Sequence, residues 1–139
     1  MPLQPYLFFD GRTEEALDFY RRTLGAEVQM LMRFKDAPPC DPPMASPPEN
    51  AEKVMHACFQ IGDATVMASD GRCQGTAKFE GFALSLTVPN PVEADRVFAA
   101  LADGGQVQMP LGETFFSPRF GMVADRFGVS WMVIVQPAA

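Results

Sequence analysis

The chain reads as an α+β protein built from two βαβββ modules. Three observations predict this. Two segments of helical period each follow one short apolar strand, three strand-like runs follow each helix, and the two halves share a trace of sequence. Half of a 139-residue chain buries too little surface to be stable alone. The modules, 1–80 and 81–139, are therefore expected to pack as one domain over 1–139. Each would lay a helix on one face of a four-stranded sheet, and the two curved mixed sheets would form a cup.

The first module opens with residues 4–10, an aromatic run ended by Gly11, which reads as a strand. Ala16, Leu17, Tyr20 and Leu24 then fall on one helical face, with Phe19 beside them. Thr13 is the expected N-cap, Glu14 and Glu15 suit the first turn, and Gly25 supplies the stop. Val28 to Phe34 reads as the second strand. Six prolines between residues 35 and 53 forbid a strand interior or a helix there, so a long exposed loop is expected, either an idle insertion or a lid or dimer arm. Val54 to Ile61 and Thr65 to Ala68, joined by Gly62-Asp63, read as a hairpin, and a glycine-rich loop over 69–81 follows.

The pattern then restarts. Phe82 to Val88 is a strand. Asn90-Pro91-Val92-Glu93 starts a helix, with Asn90 as cap, Pro91 at the first helical position and Glu93 completing a capping box. Ala94, Val97, Phe98 and Leu101 make its apolar face, and Gly104-Gly105 ends it. Val107 to Met109, Gly121 to Ala124 and Val129 to Val135 are the remaining strands, the last two joined by a turn at Asp125-Arg126-Phe127-Gly128. Glu15-Ala16 and Phe19-Tyr20 are echoed, at one constant offset, by Glu93-Ala94 and Val97-Phe98. Val28 is echoed by Val107 at nearly the same offset.

Composition narrows the function. The net charge of −6 and the scatter of the basic residues make nucleic acid a poor partner. No run reaches the ~18 apolar residues of a spanning helix, so no membrane partner is expected. No basic-then-apolar signal opens the chain, and Cys40, Cys58 and Cys73 are an odd set without CxxC. Three free thiols in a cytoplasmic protein are the simplest expectation.

Several blocks together resemble PhnB-like proteins of the vicinal oxygen chelate superfamily, which also holds the glyoxalase and bleomycin-resistance proteins. These are Pro5 to Gly11, Glu15 to Tyr20, Leu24 to Glu27, Val54 to Ala57, Met67 to Asp70, Gly81-Phe82, Glu113 to Phe116, Phe120 to Val123 and Asp125 to Met132. The resemblance implies the glyoxalase/bleomycin-resistance fold, a homodimer and a cup that holds a small molecule. In the superfamily's metalloenzymes it also implies a divalent ion held by His, Gln and Glu, two donors from each half. Matched without gaps, those positions fall on Pro5, His56, Ala83 and Met132, of which only His56 binds a metal. A one-residue slip would bring in Gln4 but would turn the strand's other residues to the opposite face. The usual metal site is therefore expected to be absent and no cofactor is expected; the alternatives are a shifted register or an ion shared with Glu80, Asp70 or Glu113. Lactoylglutathione lyase chemistry needs a carboxylate where this chain has Met132.

If those four positions face inward, strand alternation adds their neighbours: Leu7 and Phe9; Val54, Cys58 and Gln60; Ser85 and Thr87; Ser130 and Ile134. The expected ligand contacts are Leu7, Phe9, His56, Cys58, Gln60, Ser85, Ser130 and Met132, with Arg119 able to grip an anion. His56 is the candidate acid/base, because imidazole suits proton transfer at neutral pH; a buried structural histidine is the alternative. Trp131 reads as core. The nine methionines, among them Met30, Met32, Met44, Met55, Met67, Met109, Met122 and Met132, fit either a permissive cavity or a plain core. Three functions follow: a binder of a small amphipathic molecule without the usual metal; an enzyme of the superfamily, of lyase or isomerase type or another, using His56 as acid/base or an atypical metal set; or a structural or interaction module whose cup is filled by its own side chains.

Overall fold

A computed structural model describes residues 1–36, 50–71 and 77–137. The chain forms two compact units, Met1–Ala77 and Lys78–Ala139. The first contains β1 (Tyr6–Phe8), α1 (Thr13–Leu24), β2 (Glu27–Arg33), a single 3-10 turn (Phe34–Asp36), β3 (Val54–Ile61) and β4 (Ala64–Ser69). The second contains β5 (Leu84–Val88), α2 (Pro91–Ala102), β6 (Gln106–Gly112), β7 (Phe120–Ala124) and β8 (Ser130–Val135). Each is a βαβββ module with one mixed sheet. The strand orders, β1-β4-β3-β2 and β5-β8-β7-β6, are the same arrangement used twice, with the first strand parallel to the last. Among the described residues no helix is long and apolar enough to cross a membrane. Most of the expected proline-rich loop, with Cys40 and Met44, and part of the glycine-rich loop, with Cys73, lie outside the described residues.

In the first unit, α1 buries Ala16, Leu17, Phe19 and Tyr20. Leu7, Phe9, Ala57, Phe59, Val66 and Ala68 form the buried face of the sheet beneath it. Tyr20 is the hub: its ring stacks on Phe59 at 6.0 Å and meets Phe9 at 6.3 Å. Full burial of side chains of this size contributes roughly 1.5–3 kcal/mol each. Gly25 ends the helix in the left-handed conformation that a residue without Cβ takes at little cost.

The start of α1 differs from expectation. Thr13 is not the N-cap but the first helical residue, and the side chain of Arg12 at the cap position makes no capping bond, pairing instead with Glu15 at 2.7 Å. The cap comes from across the sheet. Asp70, buried just beyond β4, accepts from the Gly11 amide (3.0 Å) and the Thr13 amide (2.9 Å) through one oxygen, and from the Val54 amide (2.8 Å) through the other. A carboxylate is a stronger acceptor than a hydroxyl and is favoured at the positive end of the helix dipole.

In the second unit, Asn90 caps α2 as expected, accepting from the Glu93 amide at 2.9 Å, with Pro91 opening the helix. Only half of the capping box forms. The Glu93 carboxylate pairs instead with Arg96 at 2.7 Å, and that bond holds it below the usual carboxylate range. α2 packs on β7 and β8, burying Ala94, Val97, Phe98 and Leu101. Gly121 lets the helix approach, because a Cβ there would meet the Phe98 ring at 2.8 Å. Trp131 is core, as expected, and its indole donates to Asp125 at 2.9 Å. The other Asp125 oxygen accepts from the Phe127 and Val129 amides, which closes the β7–β8 turn.

Two stability predictions follow from these contacts. Asp70→Ala leaves three backbone amides without their acceptor and is expected to cost about 3 kcal/mol or more. The reading is a lower urea midpoint at unchanged slope; an unchanged midpoint would remove Asp70 from this role. Gly121→Ala drives a methyl group into Phe98 and is expected to cost about 1–3 kcal/mol by overpacking.

Candidate functional site

Strand registers define which residues share the sheet face that the helix does not cover. In the first unit Met30 pairs with Cys58, Met32 with His56, Cys58 with Met67, and Tyr6 with Met67. Directly paired residues point to the same side. This face therefore carries Tyr6 and Phe8 from β1, Met30 and Met32 from β2, His56, Cys58 and Gln60 from β3, and Thr65 and Met67 from β4. His56, Cys58 and Gln60 are half-buried, and Cys58 is a free thiol.

The centre of this face is a pair. The Tyr6 hydroxyl and His56 Nδ1 lie 2.9 Å apart, with ring centroids at 5.5 Å, and Phe8 stacks on Tyr6 at 4.9 Å. With the imidazole proton on Nε2, the tyrosine hydroxyl donates to Nδ1 and Nε2–H is left to donate elsewhere. The pair fixes the orientation of the chain's one imidazole.

Here the expected register of β1 is corrected. Leu7 and Phe9 do not lie beside His56; each is only 2% exposed, beneath α1. Tyr6 and Phe8 take the His56 side, and by the same alternation Gln4, not Pro5, continues it. The run Tyr6-Leu7-Phe8-Phe9 is apolar at every position, so alternation could not set its phase. Val54 is also displaced from this face: it is buried, at a point where the β2–β3 register shifts.

The second sheet follows the expected alternation. Ser85 pairs with Met132, Thr87 with Ile134, Met122 with both Met109 and Met132, and Ala124 with Ser130. Its uncovered face carries Ser85, Thr87, Met109, Met122, Ser130, Met132 and Ile134. Gln108 reaches the Ser130 hydroxyl at 3.3 Å. Arg119 is elsewhere. Its guanidinium is bonded to Asp95 of α2 at 2.6 Å, so it guards the helix side rather than this face.

The donors do not fit the hard divalent ion that the resemblance implies. The first sheet offers Gln4 and His56, but the second supplies neither of its two donors, since Ala83 and Met132 stand there. Asp70 is engaged by three amides, and Glu80 and Glu113 are exposed. Among the described residues no three of His, Cys, Asp and Glu gather into a metal-holding group.

Known proteins share this architecture. A family model described as 3-demethylubiquinone-9 3-methyltransferase matches residues 2–134. Protein YjdN of Escherichia coli strain K12 is 37% identical over 142 residues, covering 97% of this chain and 95% of its own. The crystal structure of protein PA1353 from Pseudomonas aeruginosa has a TM-score of 0.85 at 40% identity, covering 98% of both chains. A structure from Bacillus cereus, described as a putative 3-demethylubiquinone-9 3-methyltransferase, PhnB protein, has a TM-score of 0.79 at 28% identity and covers 97% of this chain and 99% of that one. The chain belongs to this PhnB-like family. The fold is that of the glyoxalase/bleomycin-resistance superfamily: a glyoxylase/bleomycin resistance protein/dioxygenase domain from Frankia sp. EAN1pec matches it with a TM-score of 0.66 at 15% identity, over 97% of this chain and 94% of that one.

In this PhnB-like chain His56, Cys58 and Gln60 lie on the uncovered face of the first sheet and Ser85, Ser130 and Met132 on that of the second, as alternation predicts, whereas Tyr6, the partner of His56, was not anticipated. The signal was local: a tyrosine with a polar tip inside an otherwise apolar strand needs a hydrogen-bond partner or water. The pair is tested by Tyr6→Phe, which removes the hydroxyl. The nitrogen shifts of the single imidazole are expected to move toward a mixture of tautomers, and an unchanged spectrum would mean that Tyr6 does not orient His56.

Proposed function

We propose that this PhnB-like protein binds a small, uncharged amphipathic molecule, and that the uncovered face around Tyr6 and His56 recognises it without a divalent metal. The observation that carries the reading is the Tyr6–His56 pair set among Phe8, Met30, Met32 and Met67. The aromatic and thioether groups offer adaptable apolar contact, and the oriented imidazole offers one directional polar contact. Among the described residues no cation is placed by hydrogen bond on this face, and Arg119 is paired elsewhere, which favours a neutral ligand over a phosphonate or carboxylate.

The same pair supports a second reading, an enzyme. An imidazole held at Nδ1 presents Nε2 in a defined direction, the arrangement that a general acid or base needs. In this reading His56 moves a proton at the bound molecule and Tyr6 orients it. A homodimer, as the resemblance implies, and the cytoplasmic location expected from the unpaired cysteines belong to both readings, and sedimentation of the purified chain tests the dimer.

The binding reading is tested with 2-naphthol, an amphipathic probe whose oxygen can accept from His56 Nε2–H. Carbon-13 methyl signals of methionine are the readout. The signals of Met30, Met32 and Met67 are expected to shift saturably with 2-naphthol. His56→Ala is expected to weaken binding up to about tenfold, the size of one neutral hydrogen bond. Absence of any saturable shift, or equal affinity in wild type and His56→Ala, would overturn the reading.

A further inference from the structure

The binding site proposed above leaves one feature of the second sheet unused. Met109, Met122 and Met132 stand side by side on β6, β7 and β8. Met122 is the Cα partner of both neighbours. We propose that these three thioethers form a site for a soft monovalent cation of the Cu(I) class, for which Ag(I) is the redox-stable equivalent.

Geometry gives the first argument. Side chains directly opposed on neighbouring strands have Cβ atoms roughly 4.5–5.5 Å apart. Methionine adds three rotatable bonds, enough for three adjacent sulfurs to converge on one ion. The row lies on the face that α2 does not cover, with Met109 45% exposed and Met122 and Met132 half-buried. An ion can reach it from solvent. Packing does not require methionine at a position as open as that of Met109.

Chemistry selects the ion. Thioether sulfur is a soft, neutral donor, which suits Cu(I) and is a poor ligand for Mg(II) or Ca(II). Because it carries no exchangeable proton, its affinity for the ion is independent of pH, unlike that of thiolate or imidazole. The neighbouring groups, Ser85 in the same row and the Gln108–Ser130 pair beside it, are uncharged, and the chain's net charge of −6 favours a cation. The site shares only Met132 with the set implied by the superfamily's metalloenzymes and calls for an ion of the opposite character.

The row also recurs. In the first sheet the corresponding positions on three adjacent strands are Met30, Cys58 and Met67, again paired in register. Met30 and Met109 are separated along the chain by the same interval as Tyr6 of β1 and Ser85 of β5, which complete the two rows. Sulfur at three neighbouring strand positions is therefore a property of the repeat.

The test is a titration of Ag(I) into the full-length chain with Cys40, Cys58 and Cys73 replaced by serine, so that no thiol competes. Saturable binding is expected, unchanged between pH 5.5 and 7.5 and unaffected by Zn(II). Met122→Leu, which keeps volume but removes the shared sulfur, is expected to weaken it at least tenfold, whereas His56→Ala leaves it as it was. Equal affinity in Met122→Leu, or a loss of binding on acidification, would overturn the proposal. If the serine variant does not fold, methionine-methyl spectra of the wild type decide the matter. Ag(I) must shift Met109, Met122 and Met132 together, and unmoved signals overturn it. Naphthol binding at Tyr6–His56 reads out separately, so failure of either proposal is distinguishable.

Discussion

The carboxylate of Asp70 is the constraint on which the first module depends. It gathers amides from the turn before α1, from the first residue of that helix and from the start of β3. The backbone answers in kind: Asp70 donates its amide to the Val54 carbonyl, and Phe9 donates to Ser69 just before it. Together these bonds set where β1 stops and how the chain enters α1. Once Phe9 is delivered beneath the helix, Leu7 must follow it and Tyr6 and Phe8 must face the other way. The meeting of Tyr6 with His56 is thus a consequence of a capping interaction made by a residue that touches neither.

The second module reaches the same topology by other means. Its helix is capped by its own Asn90, and its buried carboxylate, Asp125, serves the β7–β8 turn and the indole of Trp131 instead of a helix end. Two copies of one plan have therefore kept the strand order while exchanging the devices that hold it. What remains common on the uncovered faces is sulfur and small hydroxyls. What differs is the polar centre: an oriented imidazole in one, and Ser85 and Ser130 around Met132 in the other.

Much of this was legible in the sequence. The repeat appears in the element bounds, since α2 follows α1 at almost the same interval as β6 follows β2. The β3 span and the Asn90 cap could be read from local pattern, and in the second sheet Ser85, Thr87 and Ser130 alternate with Leu84, Leu86 and Trp131, which sets its phase. Three features were not legible, for one physical reason. The cap of α1 comes from a residue 57 positions from Thr13, Tyr6 finds its partner 50 positions away, and Arg119 finds Asp95 24 positions back. A carboxylate, a phenol or a guanidinium announces that it needs a partner but not which one. Where local alternation is silent, as in the all-apolar β1, only the long-range bond decides.

The distribution of the chain's fluorophores has a practical consequence. Both tyrosines, Tyr6 and Tyr20, fall in the first unit, and the single tryptophan, Trp131, falls in the second, buried and hydrogen-bonded to Asp125. Selective excitation of the indole therefore reports on the loosening of one half, while phenolic emission reports on the other. Whether the two modules melt as one cooperative body or in succession can be read by spectroscopy from the unlabelled protein.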